Sequence, residues 1–438
     1  MLTTSTKKWL AGICIVSPAI FIIYFVYRYG ITVPYWDQWE HVTLLEKSHN
    51  HTLTFTDFWS QHNEHRIFFP KIIMFFLTQI SGWNIFLELC TNIVFASLSL
   101  FFLFSLLDCT QGTKNNTILK IITSFLIFSM AQYENWSWGW QIQIYMVVTG
   151  IIVTIWLINK WQGKIQGLVI AILAAVLANY SFGSGILIWP SALFMLIIQE
   201  KWKLKHIIIW IAAGFVTVAS YYYKHTGSSF DVPMTYFLSH PVTFIQYVLG
   251  YLGASLAPKI KYANLASVIL LIIIILSILD IRRLDKERLR KMLPWLTLIL
   301  YVLMSAIITG MGRVHLGRNQ SMSSRYTTIS TLFVISAIVL LYNSVILNIE
   351  RKNKASLKDI VFIATVTLAF SFAYINVYLF GIKNMKIVYN RINNVTSCFN
   401  DPDNASDEDL EKLYPKPEIV RQRIKILHDL GIEFNTKK

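Results

Sequence analysis

Charge is scarce in this chain. Asp, Glu, Lys and Arg make up only 14% of 438 residues, and a soluble domain of that size would need far more to cover its surface. Acid is scarcer than base, with 24 Asp and Glu against 39 Lys and Arg, giving a formal net charge of +15. Cysteine is almost missing: Cys14 and Cys90 lie inside hydrophobic runs, Cys109 abuts one, and Cys398 stands apart, so no disulfide framework follows. What abounds is apolar, with 55% hydrophobic residues and a mean hydropathy of +0.50. Runs such as 265–279 and 332–345 hold almost nothing that water would solvate. In lipid they must be helical, because each unpaired backbone group there costs several kcal/mol. The excess of base sits in short blocks between these runs, which reads as a topology signal and not as a nucleic-acid face.

A membrane span needs about 20 apolar residues. Eleven stretches qualify as expected spans, at 9–28, 84–107, 118–132, 141–158, 165–179, 186–199, 206–223, 262–281, 293–311, 326–347 and 359–380. The run after Lys7-Lys8 shows neither the shorter apolar core nor the small-residue cleavage site of a secretory signal, so it is expected to be a retained first span. Two further apolar stretches, 67–80 with Pro70 and Lys71 and 236–258 with Gly250, Gly253 and Pro258, are expected to lie on or dip into the outer interface. With those two set aside, the basic blocks fall on one side: Lys7-Lys8, 114–120, Lys160 with Lys164, 201–205, 282–291 and 351–358. Basic loops face the cytoplasm. The expected fold is therefore an all-α polytopic membrane domain over 1–380, with a first outer loop at 29–83, followed by a small helical extracytoplasmic tail at 381–438. The N-terminus falls in the cytoplasm and the C-terminus in the periplasm.

Function belongs to the outer segments. In the first loop, Tyr35-Trp36-Asp37-Gln38-Trp39-Glu40-His41 places Asp37 and Glu40 three apart, on one face if 36–47 is helical. A carboxylate at the membrane edge between two Trp suits a general base, and a solvated interfacial helix is the plain alternative. The loop continues into His62-Asn63-Glu64-His65-Arg66 and holds five of the ten His, yet none of the metal-binding spacings is met, so no metal is expected. A second segment, Glu134-Asn135-Trp136-Ser137-Trp138-Gly139-Trp140-Gln141, sets three Trp within five residues beside a carboxylate. Such faces stack on sugars, although Trp also furnishes the aromatic belt of any membrane protein. A third runs Gly312-Arg313-Val314-His315-Leu316-Gly317-Arg318 and on to Ser323-Ser324-Arg325-Tyr326, with three Arg on the outer side against the charge bias. Guanidinium forks hold phosphate oxygens at two points, which directs this segment toward a lipid phosphate. The Gly pair of 180–185 reads as a tight connection between spans. In the tail, Ser406 is a good N-cap and Pro417 can open a second helix, with Leu410, Leu413, Val420, Ile424 and Leu427 available to pack together or dock on the outer loops.

At these residues the chain resembles the GT-C superfamily of membrane glycosyltransferases. Asp37 matches the acidic position just after the first span, and 64–82, from Glu64-His65-Arg66 through Pro70 to Gly82, resembles the second juxtamembrane segment of that family. The family's paired acids are spaced here as Asp37 and Glu40 and are not adjacent. Length, multispan layout and outer tail further resemble the phage-type glucosyltransferases that convert O-antigen serotype. The resemblance implies inverting transfer of one sugar, glucose for that group, from a polyprenyl-phosphate donor to a hydroxyl of a cell-surface glycan at the bacterial inner membrane, with no cofactor besides the donor. It implies Asp37 as base with Glu40 as second acid; Trp39, Glu64, His65, Arg66, Glu134, Trp138 and Gln141 on the sugars; and Arg313, Arg318, Arg325 and Tyr326 on the lipid phosphate. A donor synthase and a donor flippase are the implied partners. An O-antigen polymerase or ligase using a diphosphate-linked glycan, and a lipid-glycan flippase, are the competing readings.

Overall fold

The computed structural model describes residues 4–112, 116–226, 235–352 and 354–434, so Lys114 of the second basic block lies outside the described residues. The chain is built of helices joined by short turns, with no strand among the described residues. All eleven expected stretches are helical, and eight helices are long and apolar enough to cross a membrane. The other three are shorter. Ile165–Asn179, with 15 residues, covers about 22 Å against a hydrocarbon layer of about 30 Å. Ile188–Ile198 is shorter still, and the 118–132 stretch is a helix only over Thr117–Ile127 before the chain bends through Met130–Gln132. The two stretches set aside are also helices too short to span, Phe68–Ser81 and Pro241–Gly253. The protein is a multi-pass membrane protein, with eight helices of spanning length among the described residues and shorter helices packed among them.

Gly139–Lys160 is the axis of this bundle, with 89% of its apolar window buried. It packs against Ile85–Gln111 and Ile165–Asn179, so a stretch that reads as a lipid-facing span meets protein on every side. At one end of the bundle the basic blocks come together. Arg290 pairs with Glu200 at 3.2 Å and Arg288 with Glu350 at 3.3 Å, linking the segment after Leu284 to the loop after Ile198 and to the last turn of Thr327–Lys352. The opposite end carries the first loop, the 133–141 segment, the 312–326 segment and the tail. The polar chemistry is thus gathered on one side, as the charge pattern predicts.

The first loop is anchored through Glu88, which lies in the first turn of Ile85–Gln111. Its carboxyl accepts from Gln38 Nε2 at 2.7 Å and from Trp83 Nε1 at 3.0 Å, tying both ends of the loop to one point. Gly139 lies so close that a Cβ there would meet Glu88 Oε2 at 2.3 Å. Between those ties the chain forms a 3₁₀ turn over Trp36–Glu40, the helix His41–His49, a short helix Phe55–Trp59, a hairpin at 62–65 and the helix Phe68–Ser81. Pro70 is tolerated because it sits in that last helix's first turn, where no amide partner is lost.

The long helix Leu357–Asn393 runs straight through residue 380 and delivers the tail to the back of the first loop. Ser406 caps Asp407–Leu413 as expected, accepting from the Asp409 amide at 3.2 Å. Leu410, Leu413, Val420, Ile424 and Leu427 are all fully buried. The tail docks by stacking Phe399 on Trp39, with ring centroids 5.6 Å apart, and by setting Phe434 edge to face with Trp83 at 5.4 Å.

Two outcomes test this arrangement. In a cysteine-free background, single cysteines at Asn63 and Asp403 should label from one face of the membrane and those at Lys164 and Glu287 from the other; labelling of all four from one face would overturn the bundle's polarity. Glu88→Leu should destabilise the protein by about 1–3 kcal/mol for each donor it strands, read as a drop in Tm, while Glu88→Gln keeps acceptor capacity for one donor and loses less.

Candidate functional site

The outer end of the bundle encloses a cavity of about 770 Å³, walled by the first loop, the 133–144 segment, residues 182–187, Tyr221 and Tyr222, the outward end of Leu293–Arg313, the 325–326 turn and the last turns of Leu357–Asn393. Asp37, Glu64, His65, Glu134, Trp138, Gln141, Arg313, Arg325 and Tyr326 all line it. Residues nearly 300 positions apart in sequence therefore share one space.

Asp37 enters the cavity from a strained position, because Trp36 before it holds φ +49, a left-handed conformation rare for an aromatic residue. Its carboxylate lies 3.5 Å from His62 Nε2, and the other ring nitrogen of His62 donates to Glu40 Oε2 at 2.6 Å. Glu40 itself does not line the cavity. His62 is delivered by the hairpin, in which His62 and His65 exchange backbone hydrogen bonds of 2.7 and 2.8 Å around Asn63 at φ +47. Asn tolerates that conformation better than most residues. Burial disfavours a charged His62, but the hydrogen bonds and charges of Asp37 and Glu40 outweigh it and raise its pKa to about 9. The imidazolium so formed donates to both carboxylates and fixes the orientation of Asp37.

Along the same wall, Glu64 accepts from Arg313 at 2.9 Å. Burial pushes the Glu64 carboxyl up, and the Arg313 charge overrides it, leaving the pKa below the ordinary value. His65 packs on Phe182 with ring centroids 4.7 Å apart and over Gly183, where a Cβ would meet its Nδ1 at 2.4 Å. Burial, against the opposing Glu64 charge and with help from Arg313, lowers His65 to about 4, so it is a neutral ring at ordinary pH. On the far wall, Glu134 accepts from the Arg325 amide at 3.1 Å and from Ser323 Oγ at 3.2 Å. The Arg325 guanidinium bonds Ser323 Oγ through Nε at 2.9 Å and leans over the Tyr326 ring, with no carboxylate in ion-pairing range among the described residues. Trp138 donates its indole N–H to the Tyr35 carbonyl at 2.9 Å. Gln141 and Gln143 line the cavity with buried side-chain carbonyl oxygens that no protein donor reaches.

Besides Glu40, three of the residues singled out in the sequence stand outside this space. Trp39 is fully buried beneath Phe399. Arg66 is an internal cap: its guanidinium donates to the carbonyls of Tyr221 at 2.6 Å, Trp59 at 2.7 Å and Tyr223 at 2.5 Å, closing the C-terminal end of Leu204–Tyr222. Helix ends leave such carbonyls without partners, and a buried cation answers them. Arg318 is exposed and bonds Gln246 at 2.6 Å. The histidines of the first loop do not converge either, since His41 is buried against Thr78 while His49 and His51 face outward. Among the described residues no group of three or more His, Cys, Asp or Glu is placed to hold a metal ion. Sequence reasoning missed His62, Gln143, Tyr35 and above all Arg391, which lines the cavity and donates to the Tyr35 hydroxyl at 2.7 Å. The signal for Arg391 was present: Lys383, Lys386 and Arg391 continue a helical spacing beyond the last expected span.

At the level of sequence, no protein-family profile matches the chain, and no curated protein matches it either. Among solved structures, the archaeal oligosaccharyltransferase AglB from Archaeoglobus fulgidus, in complex with an inhibitory peptide and a dolichol-phosphate, superposes with a TM-score of 0.50 at 14% identity over 94% of this chain. The chain spans 60% of that protein's length. The likeness shows the fold alone: the chain shares the helical architecture of that oligosaccharyltransferase.

The His62 bridge predicts a pH dependence. Its pKa is about 9 in the fold and about 6.5 when unfolded, so its stabilisation is complete below pH 6.5 and is lost as pH rises through 9. Wild type should exceed His62→Gln in stability by up to about 3 kcal/mol at pH 6, with the gap shrinking toward pH 9.5. Thermal unfolding across that range measures it, and a gap that widens with pH would rule the bridge out.

Proposed function

We propose that this chain is a GT-C glycosyltransferase that moves a single sugar from a polyprenyl-phosphate donor to a hydroxyl of a cell-surface glycan. The observation that carries the reading is one cavity, at one end of the bundle, holding the oriented carboxylate of Asp37 and the carboxylate-free guanidinium of Arg325 on separate walls. Support also comes from the fold of AglB, whose structure contains a dolichol-phosphate, a lipid phosphate of the proposed class.

In this reading Asp37 takes the proton of the acceptor hydroxyl while the acceptor oxygen attacks the anomeric carbon from the side opposite the phosphate. The bond from that carbon to the phosphate oxygen breaks, the configuration inverts, and polyprenyl phosphate departs with the electron pair. His62, held by Glu40, keeps Asp37 aimed, so Glu40 acts from outside the cavity as a positioning residue. Arg325 faces the departing phosphate and stabilises charge that grows in the transition state. Trp36 and Trp138 offer flat faces to sugar rings, and the unpartnered carbonyls of Gln141 and Gln143 accept from sugar hydroxyls. Arg313, paired with Glu64, serves the acceptor side. The sugar is glucose and the acceptor O-antigen; no cofactor beyond the donor is required. The protein sits in a bacterial inner membrane with its N-terminus cytoplasmic and its site and tail periplasmic, downstream of a donor synthase and a donor flippase. Residues 1–380 form the transmembrane unit and 381–438 its outer cap.

The test is to express the protein in cells with a surface glycan of known structure and weigh that glycan by mass spectrometry. An added hexose is expected with wild type and absent with Asp37→Asn, whose rate should fall by roughly 10²–10⁴-fold at unchanged Tm. An unmodified glycan, or near-normal transfer by Asp37→Asn, would defeat the proposal or the base assignment respectively.

A further inference from the structure

The cavity's charges are nearly all spoken for. Three carboxylates line it, those of Asp37, Glu64 and Glu134, and three guanidiniums, those of Arg313, Arg325 and Arg391, with the His62 imidazolium as a seventh charge. Glu64 is answered by Arg313, Asp37 by His62, and Glu134 by the Arg325 amide and Ser323. Glu40, from outside the cavity, shares His62 with Asp37, so the cations left without a carboxylate partner among the described residues are Arg325 and Arg391. Elsewhere Arg288, Arg290 and Arg421 each find a carboxylate, whereas Arg391 has none in range among the described residues, and its only recorded bond is to a neutral hydroxyl, that of Tyr35.

Both cations line the one cavity, and the elements that carry them share a neighbour. The short helix Tyr133–Ser137 packs against the 324–326 turn on one side and against Leu357–Asn393 on the other. Arg391 sits in the last turn of that long helix, where a cation is favoured by the helix dipole, with its head exposed at the cavity.

We propose that Arg391 and Arg325 form a two-guanidinium clamp for a phosphate ester, and that the Tyr35 hydroxyl holds the Arg391 fork until a phosphate oxygen replaces it. A phosphodiester, which carries one negative charge, offers the two carboxylate-free guanidiniums the anion they lack; the monoester that leaves after transfer gains a second charge, and two forks can meet it at four points. Because Tyr35 precedes Asp37 by two residues, arrival of the phosphate is felt at the strained turn that carries the base. The phosphate clamp rests on the transferase reading only for the identity of its ligand.

The test is direct binding to the purified full chain in nanodiscs, followed by tryptophan fluorescence, with polyprenyl phosphate, polyprenol and inorganic phosphate as separate probes. Arg391→Gln should weaken polyprenyl phosphate about 10- to 100-fold, the worth of a charge-assisted contact. Lys383→Gln, the same charge change on the same helix but outside the cavity, should leave it alone. Tyr35→Phe removes the competing hydroxyl and should tighten binding several-fold. Inorganic phosphate bound as well as the lipid, with the same dependence on Arg391, would keep the clamp and assign it a free phosphate. Equal binding of polyprenol, a loss in Arg391→Gln no larger than in Lys383→Gln, or a loss in Tyr35→Phe matching that in Arg391→Gln would each overturn it. Should wild type transfer no sugar while the Arg391 dependence persists, the clamp stands and the transferase reading falls.

Discussion

Everything at the outer end of this protein hangs from one carboxyl group. Glu88 receives Gln38 from the start of the first loop and Trp83 from its finish, and Gly139 leaves it room. A loop of some fifty residues whose two ends are tied to the same atom pair has its closure settled by the bundle. Asp37 is the immediate neighbour of Gln38, so the anchor acts on the candidate base with almost no intervening slack. A polar group so deeply placed is tolerable only when each acceptor finds its donor, and this one does.

The second constraint is that charge at a membrane rim must be compensated locally. The molecule does so by pairing across elements far apart in sequence: Glu64 with Arg313, Glu134 with the 323–325 turn, Asp37 and Glu40 through His62. Such pairs hold the first loop, the 133–141 segment and the 312–326 segment around one space. They also leave defined remainders, the guanidiniums of Arg325 and Arg391, across the cavity from a carboxylate that His62 holds in place.

Periodicity and charge bias made the helices and their common polarity legible, because a bilayer leaves a chain few choices. They read eleven spans where eight helices among the described residues reach spanning length: Ile165–Asn179 and Ile188–Ile198 are as apolar as spans but shorter, and hydropathy does not show where a helix stops. Among the site residues, those placed by local context came together, as with Asp37, Glu134, Gln141 and Arg325. Those whose placement depends on long-range partners did not. Nothing near Arg66 announces that it will cap a helix 155 residues away, and nothing near Trp39 announces Phe399. His62 was lost among five loop histidines because only the fold shows which one faces two carboxylates. Arg391 was lost because the helix outlasts its apolar stretch by a dozen residues, and hydropathy ends where the membrane does.

That overlong helix has a consequence of its own. At 37 residues Leu357–Asn393 is about 55 Å long, nearly twice the hydrocarbon thickness, and it meets little protein along its membrane portion. A rod so lightly braced takes its tilt from the surrounding lipid, and thickening or thinning the bilayer changes that tilt. Since its far end carries a side chain into the cavity, the fit of the pocket depends on acyl-chain length, and the same protein would work differently in membranes of different thickness.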